Sequence, residues 1–196
     1  MNFIFDFDGT LADSSFGIYE AFKESCIKSN LTYPDFNSFK KIIGPPINKL
    51  IYKVFPKIEE PEKDKFIINF RKEYDNNFYK KFEWYEGVVE TLTYLSNQER
   101  NNLYIITNKP TEICIKLLRE SNLYKLFNTV IGIDYLLYLG TLEARKFPDK
   151  SKAINYLISS KGLNKNQCVY IGDTLEDKIS SEKVWNTIYS CLIWLL

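Results

Sequence analysis

Two aspartates one residue apart, Asp6 and Asp8, stand at the end of the apolar run "NFIFDF" and are followed at once by Gly9 and Thr10. A second pair, Asp173 and Asp177, closes another apolar run in "QCVYIGDTLED", and midway along the chain "IITNK" presents a hydroxyl, an amide and an ammonium at Thr107, Asn108 and Lys109. Clustered carboxylates repel one another unless a cation offsets them, and an all-oxygen shell suits Mg²⁺ better than a transition metal. A carboxylate held beside such an ion can attack phosphorus, because the metal screens the repulsion between two anions. The chain contains no histidine, which removes Ser-His-Asp triads, Cys-His pairs and His-ligated zinc from consideration. Proton transfer then falls to carboxylates, lysine or hydroxyls, and an acid two residues after a nucleophilic one is well placed for it.

These residues need strands to carry them. "NFIFDF" (Asn2–Phe7), "NLYIITN" (Asn102–Asn108) and "QCVYIGD" (Gln167–Asp173) are near-continuous apolar runs of strand length, the pattern of strands covered on both faces. Helical patterns lie at Val88–Glu99, Thr111–Ser121 and Lys150–Ser160, and weaker strands at Asn128–Asp134 and Thr187–Trp194. Strands alternating with helices imply right-handed crossovers and a parallel sheet, so the expected fold is α/β with a Rossmann-like parallel core. Ligands of such sheets bind at the carboxyl ends of the strands, where all three polar clusters fall. An acid at a strand end can be a simple helix cap; the same placement on three strands is harder to explain that way. Gly9 permits the sharp bend that turns Asp6 and Asp8 toward one pocket. Residues 15–82 break the alternation, being helical, aromatic-rich and punctuated by "GPP", and read as an insert between residues 1–14 and 83–196. Pro45 and Pro46 after Gly44 are expected to stop one helix and start the next.

The bulk properties exclude several classes. Twenty-six Lys and Arg against 25 Asp and Glu give a formal charge of +1, no field for a phosphate backbone or an anionic membrane, so neither nucleic acid nor membrane is an expected partner. The four cysteines are far apart and form no C-x-x-C pair, which points to reduced thiols rather than a disulfide framework. "CLIWLL" is too short to span a bilayer and no signal-like start is seen, so a cytoplasmic protein is expected.

"DFDGTLADS", "IITNK", a following lysine and "GDTLED" resemble, in order and spacing, the four motifs of the haloacid dehalogenase superfamily, and they span nearly the whole chain. The resemblance implies an Asp6 nucleophile, Asp8 as general acid and then base with its backbone carbonyl on Mg²⁺, and Thr107 and Asn108 as phosphoryl donors beside Gly9. It also implies metal ligation by Asp6 and Asp173, with Asp177 on the ion or just behind it. The third-motif lysine is Lys150 or Lys146: Lys150, followed by Ile154, fits one subgroup pattern and is preferred, while a "KPxP" form points to Lys146, with Phe147 in place of its first proline. An acid at Asp8 favours phosphatase or phosphomutase chemistry over dehalogenation.

The insert stands where the superfamily places a helical cap, and "IIGPPINKL" resembles the corresponding segment of phosphoglycolate phosphatase-like members, implying that Gly44 and Pro45 meet the substrate. The expected activity is Mg²⁺-dependent hydrolysis of a small phosphomonoester, phosphoglycolate or a nucleoside monophosphate first. A sugar phosphomutase and a non-catalytic phosphate- or partner-binding module are the alternatives. The apolar C-terminal run also offers a surface for a homodimer.

Overall fold

The computed structural model describes residues 1–140, 146–185 and 190–192. In chain order the regular elements are β1 (Asn2–Phe5), β2 (Ala12–Asp13), α1 (Ser15–Lys28), α2 (Phe36–Lys40), α3 (Ile47–Val54), α4 (Glu60–Glu73), β3 (Glu83–Trp84), α5 (Val88–Ser96), β4 (Asn102–Ile106), α6 (Thr111–Glu120), β5 (Thr129–Ile131), α7 (Tyr135–Tyr138), α8 (Lys150–Lys161), β6 (Cys168–Gly172), α9 (Leu175–Trp185) and β7 (Ser190–Leu192). The chain divides into two compact units, Met1–Ala12 with Trp84–Leu196, and Asp13–Glu83.

The larger unit is built on a five-stranded sheet in the order β5-β4-β1-β6-β7, with every pair parallel. The apolar runs explain the order: β1 is flanked on both sides, Ile4 pairing with Tyr104 of β4 and Tyr170 of β6, and Ile4 is fully buried. From β1 the chain builds outward to β5 on one side, then returns to lay β6 and β7 on the other, so the order reverses beside β1 and opens a crevice at its carboxyl end. One face of the sheet packs Ile4, Tyr104, Ile106, Ile131 and Tyr170 against Ile154, Leu157 and Ile158 of α8. The 3.6-residue spacing of those three aliphatic side chains is what docks α8 there. Asp149 caps the start of α8 by accepting from the Lys152 amide at 3.1 Å, and Gly162, at φ +60°, ends it in the left-handed conformation. The expected strand Thr187–Trp194 is described only as β7, and the rest of it, with most of the C-terminal run expected to support a dimer, lies outside the described residues.

The unit Asp13–Glu83 is helical, with a π-helical turn at Tyr74–Phe78. Its core is aromatic: Phe22, Phe39 and Phe66 are fully buried, with Phe22 ring centroids 4.6 Å from Phe39 and 5.0 Å from Phe66. The phenylalanines that stand out in the composition thus serve packing. Glu73 is buried on α4 and is offset by Lys28 and by the Asn77 amide at 2.9 Å. Between α2 and α3 the chain bends at Gly44, which has φ +130°, and Pro46 precedes the first turn of α3. None of the described helices is long and apolar enough to cross a membrane.

Candidate active site

Every polar cluster at the strand ends belongs to the larger unit. Asp6 extends β1 by one residue, its backbone N–H donating to Ile171 O at 2.8 Å, and its carboxylate is buried. Beyond it the chain turns tightly, Leu11 N donating to Phe7 O at 2.9 Å and Gly9 N to Ala12 O at 2.9 Å. Gly9 has φ +87°, and a Cβ there would lie 2.2 Å from Asp173 Oδ2. Only glycine therefore lets the loop after β1 approach the loop after β6 so closely. Thr10 fixes that approach by donating its hydroxyl to Asp173 Oδ1 at 2.9 Å.

Lys150 enters from the first turn of α8, with its ammonium 2.9 Å from Asp6 Oδ2 and 2.6 Å from Asp177 Oδ1, all three side chains nearly inaccessible to water. Lys146 is exposed. The physical reason is Phe147 between them, which is buried against the α8 side of the sheet and anchored by its N–H to Ile133 O at 2.9 Å. Of the two candidate lysines, the structure brings only Lys150 to the carboxylates.

Asp177 is held more completely than any other acid here. Its Oδ1 also accepts from the Tyr170 hydroxyl at 2.8 Å, and its Oδ2 accepts from the Thr174 N–H at 3.1 Å and from the Thr174 hydroxyl. Gly172 makes room for this, since a Cβ there would meet Asp177 Cγ at 2.5 Å. Asp6, Asp173 and Asp177 each offer an oxygen within 4.8 Å of the others. Asp8 faces elsewhere, with Oδ1 3.0 Å from the buried ammonium of Lys109, which also lies over the Phe7 ring at 5.5 Å. Thr107 is buried, continues β4 by donating its N–H to Ile131 O at 3.0 Å, and accepts from the Lys109 N–H at 3.2 Å. Asn108 donates its amide to Glu176 Oε2 at 3.2 Å. This loop is anchored from β5: Asp134 Oδ1 accepts from Thr111 N at 2.7 Å and Thr111 Oγ1 at 2.8 Å, fixing the start of α6.

The electrostatics separate the acids. Burial, with the charges of Asp177 and Asp8, pushes Asp6 up to about 7 in spite of Lys150. Burial also raises Asp173, against the Thr10 hydrogen bond. For Asp177, burial is outweighed by Lys150 and by the hydroxyl donors, so its carboxyl is lowered. For Lys150, burial is outweighed by Asp6 and Asp177, so it stays charged well above its usual range. Asp6 and Lys150 are both shifted upward, although a charged lysine alone ought to lower its partner. The four donors on Asp177 make it the settled partner of Lys150, and the desolvation falls on Asp6, whose Oδ1 is buried without a hydrogen bond. A site with one starved carboxylate oxygen beside two more carboxylates fits a hard divalent cation.

The family model for haloacid dehalogenase-like hydrolases matches residues 3–186. The chain belongs to the haloacid dehalogenase-like hydrolases. Among its relatives in this family, a protein named 5'-nucleotidase from Pseudomonas aeruginosa is 23% identical over 93% of this chain and 78% of its own length. One named phosphoglycolate phosphatase from Agrobacterium fabrum is 26% identical over 91% of this chain and 74% of its own length. The crystal structure of a predicted phosphatase from Clostridium acetobutylicum, 26% identical, superposes with a TM-score of 0.80 over 94% of this chain and 81% of that one. Membership makes the chain a hydrolase with the parallel-sheet core of this family.

Of the residues singled out from sequence, Asp6, Gly9, Lys150, Asp173 and Asp177 are brought together, with Asp8, Thr107 and Asn108 on the loops beside them. Gly44 and Pro45 lie in the unit Asp13–Glu83. Sequence reasoning gave no role to Thr10, Tyr170, Thr174 and Glu176, and left Lys109 as one more nearby cation. Thr174 and Glu176 lie inside "GDTLED" itself, and Tyr170 is a phenol at an inward strand position, a type that needs a buried acceptor.

Proposed function

We propose that this hydrolase is a Mg²⁺-dependent phosphatase that cleaves a small phosphomonoester through an aspartyl-phosphate on Asp6. The observation that carries the reading is the state of Asp6: buried, held on Oδ2 by Lys150, with Oδ1 unpartnered beside Asp173. The carboxylates of Asp6 and Asp173 and the Asp8 carbonyl would hold the ion, with Asp177 as the anchor behind them. When bound, it would draw charge from the carboxylates and the phosphoryl oxygens so that the two anions can meet.

In the first half-reaction an Asp6 oxygen bonds to phosphorus as the ester P–O bond breaks, and Asp8 gives its proton to the departing alcohol oxygen. In the second, Asp8 takes a proton from water, whose oxygen bonds to phosphorus, and the acyl phosphate bond breaks to return the Asp6 carboxylate. Lys150 keeps the Asp6 carboxylate oriented and offsets its charge. The Thr107 hydroxyl and the Asn108 amide donate to the phosphoryl oxygens, and Lys109 aims Asp8. Dry walls around Asp6 strengthen each of these interactions.

Phosphoglycolate and nucleoside monophosphates are the first substrate candidates, supported by the names of the relatives. The unit Asp13–Glu83 takes the part of the cap, with Gly44 and Pro45 among the residues that select the leaving group. The test is a screen of phosphomonoesters with Mg²⁺, reading released phosphate. Hydrolysis of at least one, lost in Asp6→Asn, is the expected result. Isomerisation of a hexose 1-phosphate without phosphate release would make the chain a mutase, and binding without turnover would make it a binding module.

A further inference from the structure

The acid that follows Leu175 has no part in the chemistry above, yet it is the partner of a residue that does. Glu176 Oε2 accepts from the Asn108 amide at 3.2 Å, and both residues are half-buried. Asn108 follows β4 and Glu176 opens α9 after β6, and these two strands flank β1 on opposite sides. The bond therefore ties the loop carrying Thr107 to the start of α9, which carries Asp177 and follows Asp173, across the end of β1 where Asp6 stands. An asparagine amide has a donor end and an acceptor end of nearly equal size, and rotation by half a turn exchanges them. A carboxylate has no hydrogen to offer, so the nitrogen end must face it; the second N–H of that nitrogen is left for another acceptor.

We propose that Glu176 is the positioning residue of the phosphoryl site, fixing the Asn108 amide with its nitrogen as the donor and so removing the rotamer in which its oxygen would oppose a phosphoryl oxygen. The proposal rests on the phosphatase reading for what Asn108 donates to. Its physical content is preorganisation: the amide is already turned before the anion arrives, and this lowers the ordering needed on binding.

The test uses the full chain with Mg²⁺ and four variants, Glu176→Ala, Glu176→Gln, Asn108→Ala and the double alanine variant. The readouts are kcat, KM and the affinity for inorganic phosphate measured by calorimetry. Glu176→Ala is expected to raise KM and the phosphate Kd together by about tenfold, the scale of one hydrogen bond with a charged partner, with a smaller change in kcat. Glu176→Gln keeps an acceptor and is expected to recover most of the loss. In the Asn108→Ala background the same alanine change is expected to have no further effect, because the group it positions is gone. Equal losses in both backgrounds, or a glutamine variant as weak as the alanine one, would overturn the proposal. Side-chain amide NMR separates this from the reading beneath it. A distinct, ordered Asn108 NH₂ signal that collapses in Glu176→Ala supports the positioning role even if no substrate is turned over. An averaged signal already present in the wild type overturns it even if phosphate is released.

Discussion

Replacing Asp6 by asparagine is expected to stabilise the metal-free protein while abolishing turnover, and the size of the gain follows from the site. Asp6 is raised from 3.8 to about 7, chiefly by burial. A rise from 3.8 to about 7 corresponds, through 1.36 kcal/mol per tenfold, to roughly 4 kcal/mol of penalty for ionising this carboxyl in the fold. Relaxation around the vacated charge trims this, so Asp6→Asn is expected to gain about 2 to 4 kcal/mol at pH 8. The sign with pH is set by which state holds the proton. Between about 4 and 7 the folded state holds a proton on Asp6 that the unfolded chain releases, so wild-type stability from this group falls as pH rises through that window. The variant lacks this carboxyl, and the gap between the two should be full above pH 7 and close toward pH 4. The lowered carboxyl of Asp177 is present in both proteins and largely cancels in the difference. Urea unfolding in EDTA at several pH values measures the gap directly. Saturating Mg²⁺ should narrow it at pH 8, since an ion at one hundred times its Kd adds about 2.7 kcal/mol to the protein that binds it. A variant less stable than wild type at pH 8 without metal, or a gap that does not change with pH, would refute the account of Asp6 as a desolvated, under-partnered acid.

Lys150→Met should lower stability by about 3 kcal/mol and remove turnover, because two buried carboxylates lose the cation between them; Lys146→Met, at an exposed position, should stay within about 0.5 kcal/mol in the same unfolding assay. Gly9→Ala places a methyl against the Asp173 carboxylate and demands a left-handed backbone, so Mg²⁺-induced stabilisation in a thermal melt should be lost together with activity. EDTA should stop phosphate release and Mg²⁺ restore it, whereas Ca²⁺ should inhibit, its larger shell engaging both oxygens of Asp6 and blocking in-line attack; equal rates with the two ions would contradict that assignment.

Much of this molecule is legible in its sequence because the signals are local. Three apolar runs ending in polar clusters state both the strands and the edge where chemistry collects, since buried parallel strands are apolar throughout and their carboxyl ends are where backbone and side chains open to a ligand. The absence of histidine confines proton transfer to other groups without any coordinates. Glycine at position 9 is equally readable as a bend, although only the fold shows that the side chain it lacks would collide with Asp173. What tertiary structure alone decides is which partners meet. Lys146 and Lys150 are four residues apart with similar surroundings in sequence, and the choice between them is made by Phe147 seeking the core, which turns one lysine to water and lets the helix start deliver the other to Asp6. Likewise, of the four donors on Asp177 only the two from Thr174 are local; the Lys150 ammonium and the Tyr170 hydroxyl reach it from α8 and β6, and that Asp6 keeps an oxygen with none is decided by the same packing. Residue type and strand period are properties of neighbours along the chain, whereas a carboxylate's charge state depends on desolvation and on contacts closed across more than a hundred residues, and only the folded sheet sets those.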